Sequence, residues 1–87
     1  MSLVEAVYRD TAVLPPDERF GLVAQVRRAA VSVPSNIAEG TARHSRRELR
    51  QFVSIACGSI SELETQLELA VRLGYLKADT PSIARCW

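Results

Sequence analysis

The sequence predicts an all-α fold, an antiparallel helical bundle, on three observations. Leu49, Phe52, Ala56, Ile60, Leu63, Leu67 and Ala70 recur at steps of three or four, which places them on one face of a helix. Leu22, Val26, Ala30, Val33 and Ile37 keep the same period earlier in the chain. A Ser-x-x-Glu spacing, the signature of a capping box, stands ahead of two apolar runs, at Ser2–Glu5 and Ser45–Glu48.

The first helix opens at Ser2, whose hydroxyl can take one orphan backbone N–H while Glu5 takes the other. Leu3, Val7 and Leu14 carry its apolar face, with Val4 and Tyr8 beside them. Pro15-Pro16 stops it, because proline has no N–H and disfavours a helical residue before it. Asp17 and Glu18 then stand where the first turn of a second helix favours acids. The second apolar register runs straight through Pro34, which predicts one kinked helix reaching Gly40 rather than a helix broken at Val33. Pro34 leaves the carbonyl of Ala30 without its usual donor. Ser32, Ser35, Asn36 and Glu39 form a polar seam that can satisfy it, or alternatively hold a ligand. Gly40 reads as the left-handed residue just past the helix end.

The third helix starts at Ser45 and ends at Gly74. Gly58 lies in its interior, where glycine costs about 1 kcal/mol against alanine. Close approach of a neighbouring helix would explain it. Cys57 is expected as a small buried apolar residue. Asp79-Thr80-Pro81 announces a fourth helix, a cap followed by proline at the first position. The residues up to Trp87 leave that helix largely truncated, and so short a piece is unstable alone.

The 87 residues make one domain, 1–87, since chains of this size rarely divide into two cores. With 47% apolar and 24% charged residues the chain is too apolar to be disordered. No apolar run approaches the roughly 18 residues that cross a bilayer. The N-terminus carries an acid and no basic patch, unlike a signal peptide. Two cysteines, Cys57 and Cys86, are too few for a secreted disulfide scaffold, so a reduced, cytoplasmic setting is expected. There is no internal repeat and no low-complexity linker.

Helix lengths predict partners. A third helix from about Arg46 to Gly74 is roughly 43 Å long, while a first helix of about a dozen residues covers roughly 18 Å. Val53, Ile55, Leu69, Val71 and Leu73 lie off the main stripe and also need shelter. The missing cover is a longer fourth helix, neighbouring copies of the chain, or both, and an oligomer is expected.

Charge is uneven within a net charge of +1. Residues 1–26 hold two basic and four acidic side chains; residues 27–50 hold six arginines against Glu39 and Glu48; residues 51–87 hold three basic and four acidic. Arg46 and Arg47 sit in the first turn of the third helix, where the dipole disfavours cations, and Arg46 and Arg50 are like charges at i, i+4. Local stability does not explain that placement. An anionic partner does, with nucleic-acid phosphate the commonest; a solvated, solubilising charge run is the alternative. Arg43 and His44 adjoin the cluster. Base stacking is unsupported, since only Phe52 and Tyr75 are near in sequence. Arg27 and Arg28 either extend the basic surface or pair with Glu62, Glu64 or Glu68, and pairing is expected for one of them.

Enzyme chemistry finds little to work with. His44 is the one histidine, so any Ser-His-Asp or Cys-His pair must use it. No glutamate has histidine three residues on, as di-metal bundles require. Cys57 and Cys86 lack metal-ligand spacing, and Ala38-Glu39-Gly40-Thr41 lacks the rest of a phosphate-loop pattern. No activity, cofactor or metal is expected.

Arg19-Phe20-Gly21-Leu22 and the run from Gln25 to Gly40, QVRRAAVSVPSNIAEG, resemble the signature of bacterial four-helix-bundle proteins known as 23S rRNA intervening-sequence proteins. Gly58-Ser59, Glu62 to Leu67 and Leu73 to Leu76 resemble the family's third helix, so the likeness covers about residues 3–83. The resemblance implies an up-and-down four-helix bundle assembled into a homopentameric ring. A related branch, the accessory variability protein of diversity-generating retroelements, binds nucleic acid and a reverse transcriptase through basic surfaces. The basic positions that carry over are Arg27, Arg28, Arg43, Arg46, Arg47 and Arg50. This sequence departs from the pattern at both ends, with a short first helix and most of the fourth missing. The expected function is therefore a non-enzymatic oligomeric bundle binding RNA or DNA with low specificity through Arg27, Arg28, Arg43, His44, Arg46, Arg47 and Arg50. The alternative is a protein-interaction scaffold without nucleic-acid binding.

Overall fold

The computed structural model describes residues 2–80, with side chains from Leu3 onward. Three α-helices form, α1 (Ser2–Thr11), α2 (Leu22–Thr41) and α3 (Arg46–Arg72), with a 3-10 turn at Pro16–Glu18 between the first two. The described residues contain no strand. The predicted Ser2–Glu5 capping box rests on a side chain outside this set, and the helix start predicted at Asp79-Thr80-Pro81 runs into residues outside it.

α1 stops earlier than its apolar spacing suggested. The Thr11 hydroxyl donates to the Val7 carbonyl at 2.6 Å, and Ala12 and Leu14 turn the chain with N–H bonds to the carbonyls of Arg9 and Thr11. Asp17 and Glu18 lie in the 3-10 turn rather than in α2. The reason is local: Pro15-Pro16 permits one tight turn, and Gly21 leaves helical geometry before α2 begins at Leu22.

α2 is continuous across Pro34, as its register predicts. The polar seam forms with different partners. Asn36 Nδ2 donates to the Ser32 carbonyl at 2.7 Å and to its hydroxyl at 2.9 Å, and the Ser32 and Ser59 hydroxyls are 2.8 Å apart. These bonds reach the carbonyl of Ser32, not that of Ala30, and they tie α2 to α3 in mid-length. Ser35 is exposed and Glu39 turns to Arg43.

Gly40 is not the left-handed residue past the helix end. It is buried inside α2, which ends at Thr41 with a right-handed cap at Ala42. Its role is close approach: a Cβ there would lie 2.9 Å from Phe52 Cβ and 3.2 Å from Leu49 Cδ1, well inside carbon–carbon contact distance. Gly58 shows the reverse. A Cβ there meets nothing within 4 Å, so no neighbour among the described residues explains it. Cys57, expected inside, is exposed.

α3 ends as predicted. Gly74 has φ +82°, Tyr75 N–H bonds the Ala70 carbonyl and Gly74 N–H bonds that of Val71, the paired bonds of a Schellman motif. Tyr75 then donates from its hydroxyl to Glu18 Oε2 at 3.0 Å, joining the end of α3 to the turn before α2.

One core cluster holds the three helices together: Val7 from α1, Val26, Ala29 and Ala30 from α2, Leu63 and Leu67 from α3. Leu3, Val4, Leu22 and Leu76 pack against it. Full burial of each leucine stabilises by roughly 1.5–3 kcal/mol. Beyond this cluster cover runs out. Ile37 shares the stripe of Val26, Ala30 and Val33 yet is 42% exposed, and Val53, Ile55, Leu69 and Leu73 are all exposed.

Two outcomes follow for this frame. Gly40→Ala should destabilise by about 1–3 kcal/mol through overpacking against Phe52, read from the urea midpoint at unchanged slope. Acceptance of its proton by Glu18 raises the Tyr75 pKa above 10.0, with partial burial and the Glu18 and Asp17 charges adding to it. That contribution is full below the unfolded value and is lost as pH rises through the folded one. Between pH 9 and 12 the melting temperature should therefore fall more steeply for the native chain than for Tyr75→Phe.

Candidate nucleic-acid interface

The arginine-rich segment forms the tip of the α2–α3 hairpin. α2 closes with the Thr41 hydroxyl on the Ala38 carbonyl and the Arg43 N–H on the Gly40 carbonyl. Ser45 is extended and caps α3 by accepting the Glu48 N–H at 3.1 Å, which satisfies one orphan donor. A connection of four residues, 42–45, therefore links two capped helix ends, and the Gly40 contact with Leu49 and Phe52 fixes their separation.

Within the tip, Arg43 gathers both carboxylates. Its Nη2 donates to Glu39 Oε1 at 3.3 Å, its Nε lies 3.8 Å from Glu48 Oε2, and its guanidinium sits 5.2 Å from the Phe52 ring centroid. All three charged side chains are about half exposed, so each pair stabilises by less than about 1 kcal/mol. The consequence is electrostatic. Among the described residues Arg46, Arg47 and Arg50 have no side-chain partner, and together with Arg43 they set four positive charges against Glu39 and Glu48, a surplus of two at the tip. His44 is exposed beside them. The helix N-terminus adds roughly half a positive charge at the same place. Such a surface offers mobile guanidinium donors to an anion in solvent. It offers no stacking platform, since Arg43 lies over the half-buried Phe52.

The predicted basic set divides here. Arg43, His44, Arg46, Arg47 and Arg50 come together, whereas Arg28 lies 13 residues before the end of α2, about 20 Å away along the axis. Arg27 is engaged elsewhere. Its Nε donates to Thr11 Oγ1 and its Nη2 to the Tyr8 carbonyl, both at 3.0 Å, and its guanidinium lies 4.5 Å from the Tyr8 ring centroid. The pairing expected with Glu62, Glu64 or Glu68 does not form, because Arg27 stands on the flank of α2 that faces α1. Glu62 meets Gln66 and Glu68 meets Arg72 within α3. Sequence spacing carried one missed signal, since Glu39 and Arg43 are an i, i+4 pair. The second carboxylate and Phe52 reach Arg43 only through the turn.

Among the described residues no three His, Cys, Asp or Glu side chains gather as a metal site would need. No described helix is long and apolar enough to cross a membrane. An open cleft lies at the opposite end, where Arg9, Asp10 and Val13 face Tyr75, Leu76 and Lys77.

The family model described as 23S rRNA-intervening sequence protein matches residues 1–83. The chain belongs to that family. No curated protein matches it. In this member of the 23S rRNA-intervening sequence protein family the two adjacent arginines of α2 have separate roles, and stability measurements separate them. Arg27→Ala should destabilise by about 1–2 kcal/mol through loss of two hydrogen bonds and the Tyr8 contact. Arg28→Ala should stay within about 0.5 kcal/mol of the native chain.

Proposed function

We propose that this protein is a non-enzymatic, self-associating helical bundle that binds RNA or DNA with low sequence specificity through the tip of its α2–α3 hairpin. The observation that carries the reading is the set of arginines without an ion pair among the described residues, Arg46, Arg47 and Arg50, held at a helix N-terminus where intrahelical electrostatics disfavours them. Cations kept at a local penalty are explained by an anion that meets them. Arg43 and His44 flank the site, and Arg43 positions the tip by pairing its carboxylates. A family described by intervening sequences of 23S rRNA makes structured RNA the first ligand to test. Self-association supports this chemistry. Uncovered apolar side chains favour neighbouring copies, five in the family ring that the sequence resembles, and several copies multiply weak phosphate contacts by avidity. Encounter with RNA fits a cytoplasmic setting.

The exposed Ile55, Leu69 and Leu73 also suit a second reading, a protein-interaction scaffold whose arginines meet an acidic partner. One titration separates the two. Filter binding of structured RNA should weaken for the Arg46, Arg47 and Arg50 triple alanine variant, and the slope of log affinity against log salt should shrink by about 2–3. Equal RNA binding by both forms, or none by either, would contradict the nucleic-acid reading and leave the scaffold.

A further inference from the structure

Glu48 does less for its own helix than its position allows. It is the third residue of α3, and in a complete capping box that glutamate accepts the N–H of the capping serine. Ser45 makes its half of the exchange, accepting the Glu48 N–H at 3.1 Å. The return bond is absent among the described residues, and Glu48 Oε2 lies instead 3.8 Å from Arg43 Nε. Glu39 closes on the same guanidinium from α2, its Oε1 accepting from Nη2 at 3.3 Å.

The two nitrogens involved are the side fork of the guanidinium. Nε and Nη2 present parallel N–H bonds, the pair with which arginine grips two oxygens of one phosphate. Here that fork is divided between two carboxylates, and the guanidinium carbon lies 5.2 Å from the Phe52 ring centroid. The remaining fork shares Nη2 with Glu39, so a phosphate there would stand beside a like charge. Arg46, Arg47 and Arg50 are under no such restraint, having no ion pair among the described residues. Ion pairing leaves the net charge of the tip as it is. It decides which guanidinium can turn to an incoming phosphate.

We infer that Glu39 and Glu48 are an autoinhibitory clamp that withholds Arg43 from nucleic-acid phosphate, so that the tip binds through Arg46, Arg47 and Arg50 and keeps a fourth arginine in reserve. The inference rests on the nucleic-acid reading proposed above and assigns the residues that limit its affinity. Each pair of the clamp is half exposed and weak alone. A phosphate that takes the side fork is bound in the same solvent, and it must displace both.

Filter binding of one structured RNA over a range of salt provides the test. Arg43→Ala alone should leave the slope of log affinity against log salt nearly as it is, because a withheld arginine releases no counterions. Glu39→Gln combined with Glu48→Gln should tighten binding roughly tenfold and steepen the slope by about one, as one further phosphate contact does. Adding Arg43→Ala to that pair should take both gains away. The close approach at Gly40 holds the helix ends in every form, so helical circular dichroism should not change. A slope reduced by about one in Arg43→Ala would overturn the clamp, since Arg43 would then touch phosphate in the native chain. A tightening that survives without Arg43 would also overturn it, as plain relief of carboxylate repulsion, and so would glutamine variants that bind no tighter. Those results leave the site at Arg46, Arg47 and Arg50 standing. A native chain that binds no RNA would overturn both.

Discussion

The structure is governed by a mismatch of helix lengths. α3 has 27 residues, about 40 Å, and α1 has 10, about 15 Å. Three helices meet only where α1 reaches, and there Val7, Val26, Ala29, Ala30, Leu63 and Leu67 are buried. α1, anchored with Thr11 on Arg27, spans about as far as the level of Ile37 and ends. Ile37 is in register with the core and is still open to solvent. Apolar surface left open among the described residues is characteristic of an interaction face, and the proposed self-association would cover it.

The same layout shapes the hairpin tip. α2 and α3 are tied directly to each other by the Ser32–Ser59 pair at mid-length and, past the reach of α1, by the close approach of Gly40 to Phe52. That approach sets the short turn in which Arg43 reaches Glu39, Glu48 and Phe52 together. Because one arginine holds both acids, the remaining three stand without an ion pair among the described residues, on a tip with a surplus of two positive charges. Packing at a glycine thus decides the electrostatics of the candidate site.

Periodicity made most of this fold legible in the sequence. The apolar face of α3, its cap at Ser45, its Schellman end at Gly74 and the continuity of α2 through Pro34 are local properties, set by spacing and backbone chemistry. What the sequence concealed depends on neighbours. Gly40 as a helix terminator and Gly40 as a point of close approach look alike until α3 is placed beside it. Arg27 faced acids in sequence, yet it stands on the α1 flank and binds Tyr8 and Thr11. Cys57 sits about 100° from its neighbour Ala56, enough to move it from core to solvent. The arginine cluster was readable as a cluster; the division between engaged Arg43 and free Arg46, Arg47 and Arg50 needed the turn.

Small-angle X-ray scattering at micromolar concentration tests the length mismatch most directly. The protomer has a radius of gyration of 13.8 Å and extents of 44 × 24 × 18 Å. If uncovered apolar flanks draw copies together, the measured radius should lie well above 13.8 Å with a forward scattering of several chains. A radius near the protomer value, with the scattering mass of one 9.6 kDa chain, would contradict the account.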